Sequence, residues 1–206
     1  MADQPTISFA VREGKEPEPC TRHSLLMDID VKEILAMIHE LADYEKESSS
    51  VEATEESLIR TLTFAPSGGG HTNPGYAKTL LIRLPSETTE AGDKPGAVAG
   101  MALYFNNYST WRGRQGIYLE DLFVRPQYRK RGYGKMLIQA LARETLLQDG
   151  GRLEWSCLTW NTSSLDFYKS LGAKQMDGWI GLRVDGDELQ KLARGHVPQI
   201  TSPPFR

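Results

Sequence analysis

The chain has little of what metal and disulfide chemistry need. Its 206 residues hold two cysteines, Cys20 and Cys157, and four histidines. Two thiols far apart in sequence build neither a ligand set nor a disulfide framework, and they suit a reducing compartment. Cys157 lies in an apolar stretch and reads as a small buried hydrophobe. His23, His39 and His71 have no partners at ligand spacing and His196 falls in the tail, so none is assigned to a metal or a catalytic base, and no metal is expected. No apolar run approaches bilayer length, and the N-terminus lacks the basic and apolar regions of a secretory leader. No membrane partner is expected, and a cytoplasmic location is. A basic excess is lacking too. The 24 Lys and Arg against 27 Asp and Glu leave a net charge of −3, which argues against a nucleic-acid partner.

With 39% hydrophobic and 25% charged residues, the chain suits one globular domain with a sizeable core. Residues 6–13 alternate as a first strand, and 14–19 read as a loop. Val31, Ile34, Leu35, Ile38, Leu41 and Ala42 recur at helical spacing, which predicts an amphipathic helix over 30–46. Thr54-Glu-Glu-Ser opens a second helix. Strands are expected at 76–84, 97–105 and 116–124, separated by glycine-bearing loops at 65–75 and 85–96. A helix over 132–148, a strand over 152–159, a helix from Asn161 to just before Gly172, a strand over 179–184 and a helix over 186–193 complete the order. The tail, 194–206, is polar and proline-bearing, and is expected to be poorly ordered. This order predicts an α+β domain over 28–193, preceded by a strand and extension at 1–27.

The segment from Asp121 to Lys135 carries the sharpest signal. An apolar strand ends at Pro126, a basic turn with Gly132 and Gly134 follows, and a helix opens. Helix starts present unpaired N–H groups and a positive dipole end, which attract phosphate. Arg125, Arg129, Lys130, Arg131 and Lys135 add cationic charge with no acid among them. Lys135 is followed by Met136, which excludes a P-loop, and Leu137 stands where a dinucleotide fingerprint needs its third glycine. What remains is Arg129-x-x-Gly132-x-Gly134, a diphosphate cradle of another kind.

That pattern resembles the acyl-CoA loop of the GNAT N-acetyltransferase superfamily. Ile34–Glu45, Tyr118–Val124, Trp160-Asn161, Phe167-Tyr168-Lys169, Leu171-Gly172-Ala173 and Gly178-Trp179 are similar to its diamine (spermidine/spermine) N-acetyltransferase branch. The resemblance implies a mixed, mostly antiparallel sheet flanked by helices on both faces, a homodimer, and transfer of acetyl from acetyl-CoA to a small cationic amine. It implies that backbone groups of Leu122, Phe123 and Val124 grip the pantetheine where their strand splays from the next. It assigns Arg129, Lys130, Arg131, Gly132, Tyr133, Gly134, Lys135, Asn161, Ser164 and Tyr168 to the cosubstrate. Asn161 also suits a helix N-cap.

N-acetylation needs a neutral amine and a proton for the leaving thiolate. An alkylamine of pKa near 10.4 arrives charged at pH 7, so a base is required. Glu120 is the candidate, as base or as ammonium anchor. Strand alternation sends its neighbour Asp121 to the opposite face. On periodicity alone Tyr168 is a core aromatic. The resemblance makes it the general acid, for which a phenol is chemically suited.

Between residues 28 and 56, ten acids stand against two lysines, mostly as solvated helix faces. The resemblance assigns Tyr44, Glu45, Trp111, Glu120, Glu154 and Asp177 to the acceptor, and aromatic–carboxylate pairs suit an alkylammonium. The polyamine pattern has Asp two residues before the tryptophan, where this chain has Ser109. The segment Tyr108-Ser-Thr-Trp-Arg-Gly-Arg is instead similar to thialysine-acetylating members, and its arginines suit a substrate carboxylate. Thialysine or lysine-like amino acids and polyamines both remain open, as do a protein or peptide lysine acetyltransferase and a non-catalytic acyl-CoA-binding module.

Overall fold

The computed structural model describes residues 4–12, 29–66, 75–85 and 92–195. Expectations for 14–19, much of the two glycine-bearing loops and nearly all of the tail fall outside them. The described chain forms two compact units, the first ending at Asn161 and the second beginning at Thr162.

The first unit is built on a six-stranded sheet. Strands β1 (Thr6–Phe9), β5 (Ala77–Arg83), β6 (Val98–Ser109), β7 (Arg114–Val124) and β8 (Leu153–Trp155) follow in that spatial order. Strand β3 (Leu62–Thr63) also pairs with β5, while β2 (Val11–Arg12) and β4 (Ala65–Pro66) form a separate two-residue ladder. The β1–β5, β5–β6 and β6–β7 ladders are antiparallel; β3–β5 and β7–β8 are parallel. Helices α1 (Ile29–Glu45) and α2 (Glu55–Thr61) cover one face. Val31, Ile34, Met37 and Leu58 pack there with Leu81, Met101, Leu103 and Phe123. Helix α3 (Tyr133–Leu147) packs on the sheet through Leu137, Ile138 and Leu141.

Local chemistry sets the helix ends. Thr54 caps α2 in a reciprocal box with Ser57, which satisfies two otherwise orphaned donors. Three ion-paired groups fix α1 near its start and middle. Asp30 pairs with Arg83, and Arg125 bridges Glu33 at 2.8 Å and Glu40 at 3.0 Å.

The second unit contains helices α4 (Thr162–Ser170) and α5 (Gly186–Ala193). Helix α4 ends as expected at Gly172, whose φ of +87° suits glycine; the Gly172 and Ala173 amides donate to the Lys169 and Tyr168 carbonyls. The strand expected over 179–184 is not formed. A ladder needs a second strand, and the second unit has none among its described residues.

Candidate active site

The register of β7 against β6 decides where its carboxylates go. Asp121 stands opposite Leu103 and Leu119 opposite Tyr104, so Glu120 is an extra, unpaired residue. This β-bulge resets the alternation. Glu120 and Asp121 share the side of β7 that faces α1, rather than lying on opposite faces as plain alternation predicts. Glu45, at the end of α1, completes an acidic group. Burial, then the charges of Glu120 and Glu45, push the Asp121 carboxyl up to about 6. Burial and neighbouring Glu47 raise Glu45 as well. None of the three has an ion-pair partner among the described residues. Carboxylates gathered without a cation are costly, and a charged amine resolves that cost.

An aromatic hub adjoins this group. Tyr44 donates its hydroxyl to Asn161 Oδ1 at 3.2 Å, and its ring lies 5.9 Å from Trp160. The Arg129 guanidinium sits 5.1 Å from the Tyr44 ring centre and 5.7 Å from Phe123. Arg129 Nε also donates to the Val124 carbonyl at 2.9 Å.

The bulge also ends a ladder. Strand β8 pairs with Ile117, Tyr118 and Leu119 and stops at Trp155, so the β8-side edge of Glu120–Val124 has no strand partner. The ladder ends there, and the strand is three residues rather than the eight predicted. Cys157 therefore lies outside any strand, half-buried, and burial with Glu45 nearby pushes its thiol up.

The open edge leads to the cradle. Gly132 caps α3 at φ +83°, a conformation that excludes most side chains, with no side-chain cap bond. The first helical bond there runs from the Met136 amide to the Gly132 carbonyl, which leaves the preceding amides for a ligand. A Cβ at Gly132 would meet nothing within 4 Å. Not every cation of the turn serves the cradle. Arg125 is held by Glu33 and Glu40, and Arg131 by Asp93 at 2.6 Å. Lys130 and Lys135 are exposed and without an ion-pair partner among the described residues. Amides, two lysines and an open strand edge fit a CoA diphosphate and its pantetheine arm.

Other expected residues stand apart. Trp111, 89% exposed, is at the turn between β6 and β7. Arg114 lies six residues along β7 from Glu120, about 20 Å at strand rise. That is several times the length of a lysine side chain, so within one chain these residues do not join the acidic group. Glu154 stands opposite Tyr118, where Arg152 at 2.6 Å and Asn107 at 2.7 Å already hold its carboxylate. Gly116 opens the path for Asn107, since a Cβ there would lie 2.6 Å from its Oδ1. In the second unit, α4 carries Ser164 and Tyr168, with the Tyr168 ring 5.2 Å from Phe167; Asp177 follows, exposed. Two residues escaped the sequence reading of the site. Asp121 was masked by the bulge, and Trp160 was visible only as the neighbour of Asn161.

Residues 59–173 match the family described as acetyltransferase (GNAT) family, a span that includes β6, β7, the cradle and α4. The chain belongs to this family. A thialysine N-epsilon-acetyltransferase of Bos taurus is 38% identical over 170 residues, 80% of this chain and 92% of the relative. The L-ornithine N5-acetyltransferase NATA1 of Arabidopsis thaliana is 31% identical over 204 residues, 86% of this chain and 90% of the relative. An integron cassette protein from the mobile metagenome of V. cholerae shares the fold at a TM-score of 0.64 and 21% identity, covering 93% of this chain and 98% of that one. This GNAT enzyme is an acetyltransferase acting on amines.

Proposed function

We propose that this enzyme transfers acetyl from acetyl-CoA to the side-chain amine of a thialysine-, lysine- or ornithine-like amino acid, in the cytoplasm and as a homodimer. One observation carries the reading: Glu45, Glu120 and Asp121 gather at the end of the helix that carries Tyr44, and none of the three has an ion-pair partner among the described residues. An alkylammonium supplies that charge and is well matched to the aromatic rings. The names of the relatives favour amino acids over polyamines.

Acetyl-CoA supplies the thioester. The cradle amides with Lys130 and Lys135 hold its diphosphate, and the open edge of Glu120–Val124 orients its pantetheine, with Asn161 and Ser164. The amine arrives protonated. Asp121 or Glu120 takes one proton from it, directly or through water. A carboxyl at about 6 is a better acceptor than an ordinary one, though still well below the amine, so the transfer must be coupled to attack. The nitrogen lone pair then bonds to the acetyl carbon, the carbon–sulfur bond breaks, and the Tyr168 hydroxyl protonates the departing thiolate; the second proton that the nitrogen sheds on becoming an amide restores the phenol through water.

A thiol-release assay over thialysine, ornithine, lysine, spermidine, spermine and a histone-tail peptide tests this. The highest kcat/KM is expected for one of the three amino acids. A tenfold preference for a polyamine or the peptide would overturn the substrate assignment, and no turnover on any amine would leave only a binding module. Light scattering at twice the 23.1 kDa chain mass is expected for the dimer, and a fully active monomer would remove it.

A further inference from the structure

One side chain occupies parts of both halves of the site. Arg129 belongs to the cradle turn, yet its guanidinium lies over Tyr44 and Phe123 and its Nε holds the Val124 carbonyl. The Tyr44 face is where an alkylammonium would stack. The Val124 carbonyl belongs to the edge that would orient the pantetheine. Resting on the reading given under Proposed function, we propose that Arg129 is an internal stand-in for the acceptor: its guanidinium holds the aromatic face of Tyr44 until a CoA diphosphate draws it away, so that CoA tightens the binding of amine.

The energetics favour this exchange. Arg129 is exposed, and a cation over an exposed ring is a weak contact. A charge-assisted bond from the same guanidinium to a diphosphate is much stronger, and the cradle amides begin only three residues away at Gly132. Leaving Tyr44 frees the ring, while the tyrosine hydroxyl stays on Asn161 Oδ1. Tyr44 is therefore already positioned for the amine when the guanidinium departs. Because binding linkage is reciprocal, amine must tighten CoA by the factor by which CoA tightens amine. The contact released is a single exposed cation–π pair, so that factor should be roughly 2- to 5-fold.

Calorimetric titration of the full chain tests the proposal, using CoA without acetyl so that no turnover occurs, and the amine with the highest kcat/KM. In wild type, saturating CoA should tighten the amine by that factor. Arg129→Gln removes the charge. It should bind the amine without CoA about as well as wild type binds it with CoA, with a coupling factor near one. Arg129→Lys retains a cation and should keep part of the coupling, and unchanged melting of both variants verifies folding. Equal amine affinity with and without CoA in wild type would overturn the stand-in while leaving the proposed function intact. So would full coupling in Arg129→Gln. Failure of wild type to bind CoA at all would sink both.

Discussion

Two charged regions of this enzyme differ in whether their charges are answered from within. Around Arg125 every charge touches one of opposite sign, a single guanidinium serving two carboxylates. Glu33 and Glu40 come from α1, and the Val98 carbonyl accepts from the guanidinium at 3.0 Å. Around Asp121 three carboxylates meet and no cation joins them; at the start of α3, Lys130 and Lys135 mirror them with no acid. Charges that the protein neutralises itself hold the fold together. Charges it leaves without an ion-pair partner, in company, are where the proposed ligands of opposite sign would bind. The two unbalanced groups have opposite signs, as expected of an enzyme that joins a cationic amine to an anionic cosubstrate.

The largest break in this contrast should come from reversing one sign. Gly132→Asp puts a carboxylate at the proposed diphosphate site, at a φ of +83° that disfavours side chains. Calorimetry should find no CoA binding, while thermal melting reports whether the fold survives. The milder pair Lys130→Ala with Lys135→Ala should weaken CoA by about 10-fold without touching the backbone.

Tyr168→Phe comes next. Loss of a general acid should lower kcat by roughly 10²–10⁴-fold with little change in the KM for acetyl-CoA. Equal rates from pH 6 to 10 would return Tyr168 to a packing role.

Asp121→Asn separates binding from stability. A carboxyl at about 6 must be ionised to take a proton, so kcat/KM for the amine should fall as pH drops through about 6. Asparagine should remove that limb and cost about tenfold or more at neutral pH. The stability sign is opposite. A carboxyl raised in the folded state binds its proton more tightly than in the unfolded chain, so its contribution declines as pH rises from about 4 to 6. Asp121→Asn should therefore be more stable than wild type at pH 8, by about 1–3 kcal/mol, and gain nothing at pH 4. Lower stability of the variant at pH 8 would mean that Asp121 has a partner in the fold.

The balanced region should give the smallest catalytic effect. Arg125→Ala strands Glu33 and Glu40 and should lower stability by about 1–3 kcal/mol, measured by denaturant unfolding, with the KM for CoA changed less than threefold. A large rise in that KM would place Arg125 in the cradle after all.

Much of this was legible in the sequence because it rests on local rules. The spacing of Val31, Ile34 and Ile38 identified α1, and the glycines of the basic turn marked the start of α3. The bulge at Glu120 was not legible. It arises from the register between β6 and β7, and nothing in Leu-Glu-Asp-Leu reveals an extra residue. The same is true of the partners of Arg125 and Arg131, whose acids lie 30 or more positions away in sequence. The 179–184 segment failed differently. Its apolar residues state a preference, but a strand exists only where another strand accepts its hydrogen bonds.

Helix α1 has a mechanical consequence. It is clamped near its base by Asp30 and through its middle by Glu33 and Glu40, and beyond Glu40 it runs on for about 7.5 Å, held by Leu41 and Ala42 against the core but by no further ion pair among the described residues. Tyr44 and Glu45 close that last stretch, where Tyr44 is held by a hydrogen bond to Asn161 and by ring contacts with Trp160 and Arg129. A beam held this way deflects at its tip while its root stays still. Amide hydrogen exchange should record the gradient, slow at Ile34 and Met37 and faster toward Tyr44.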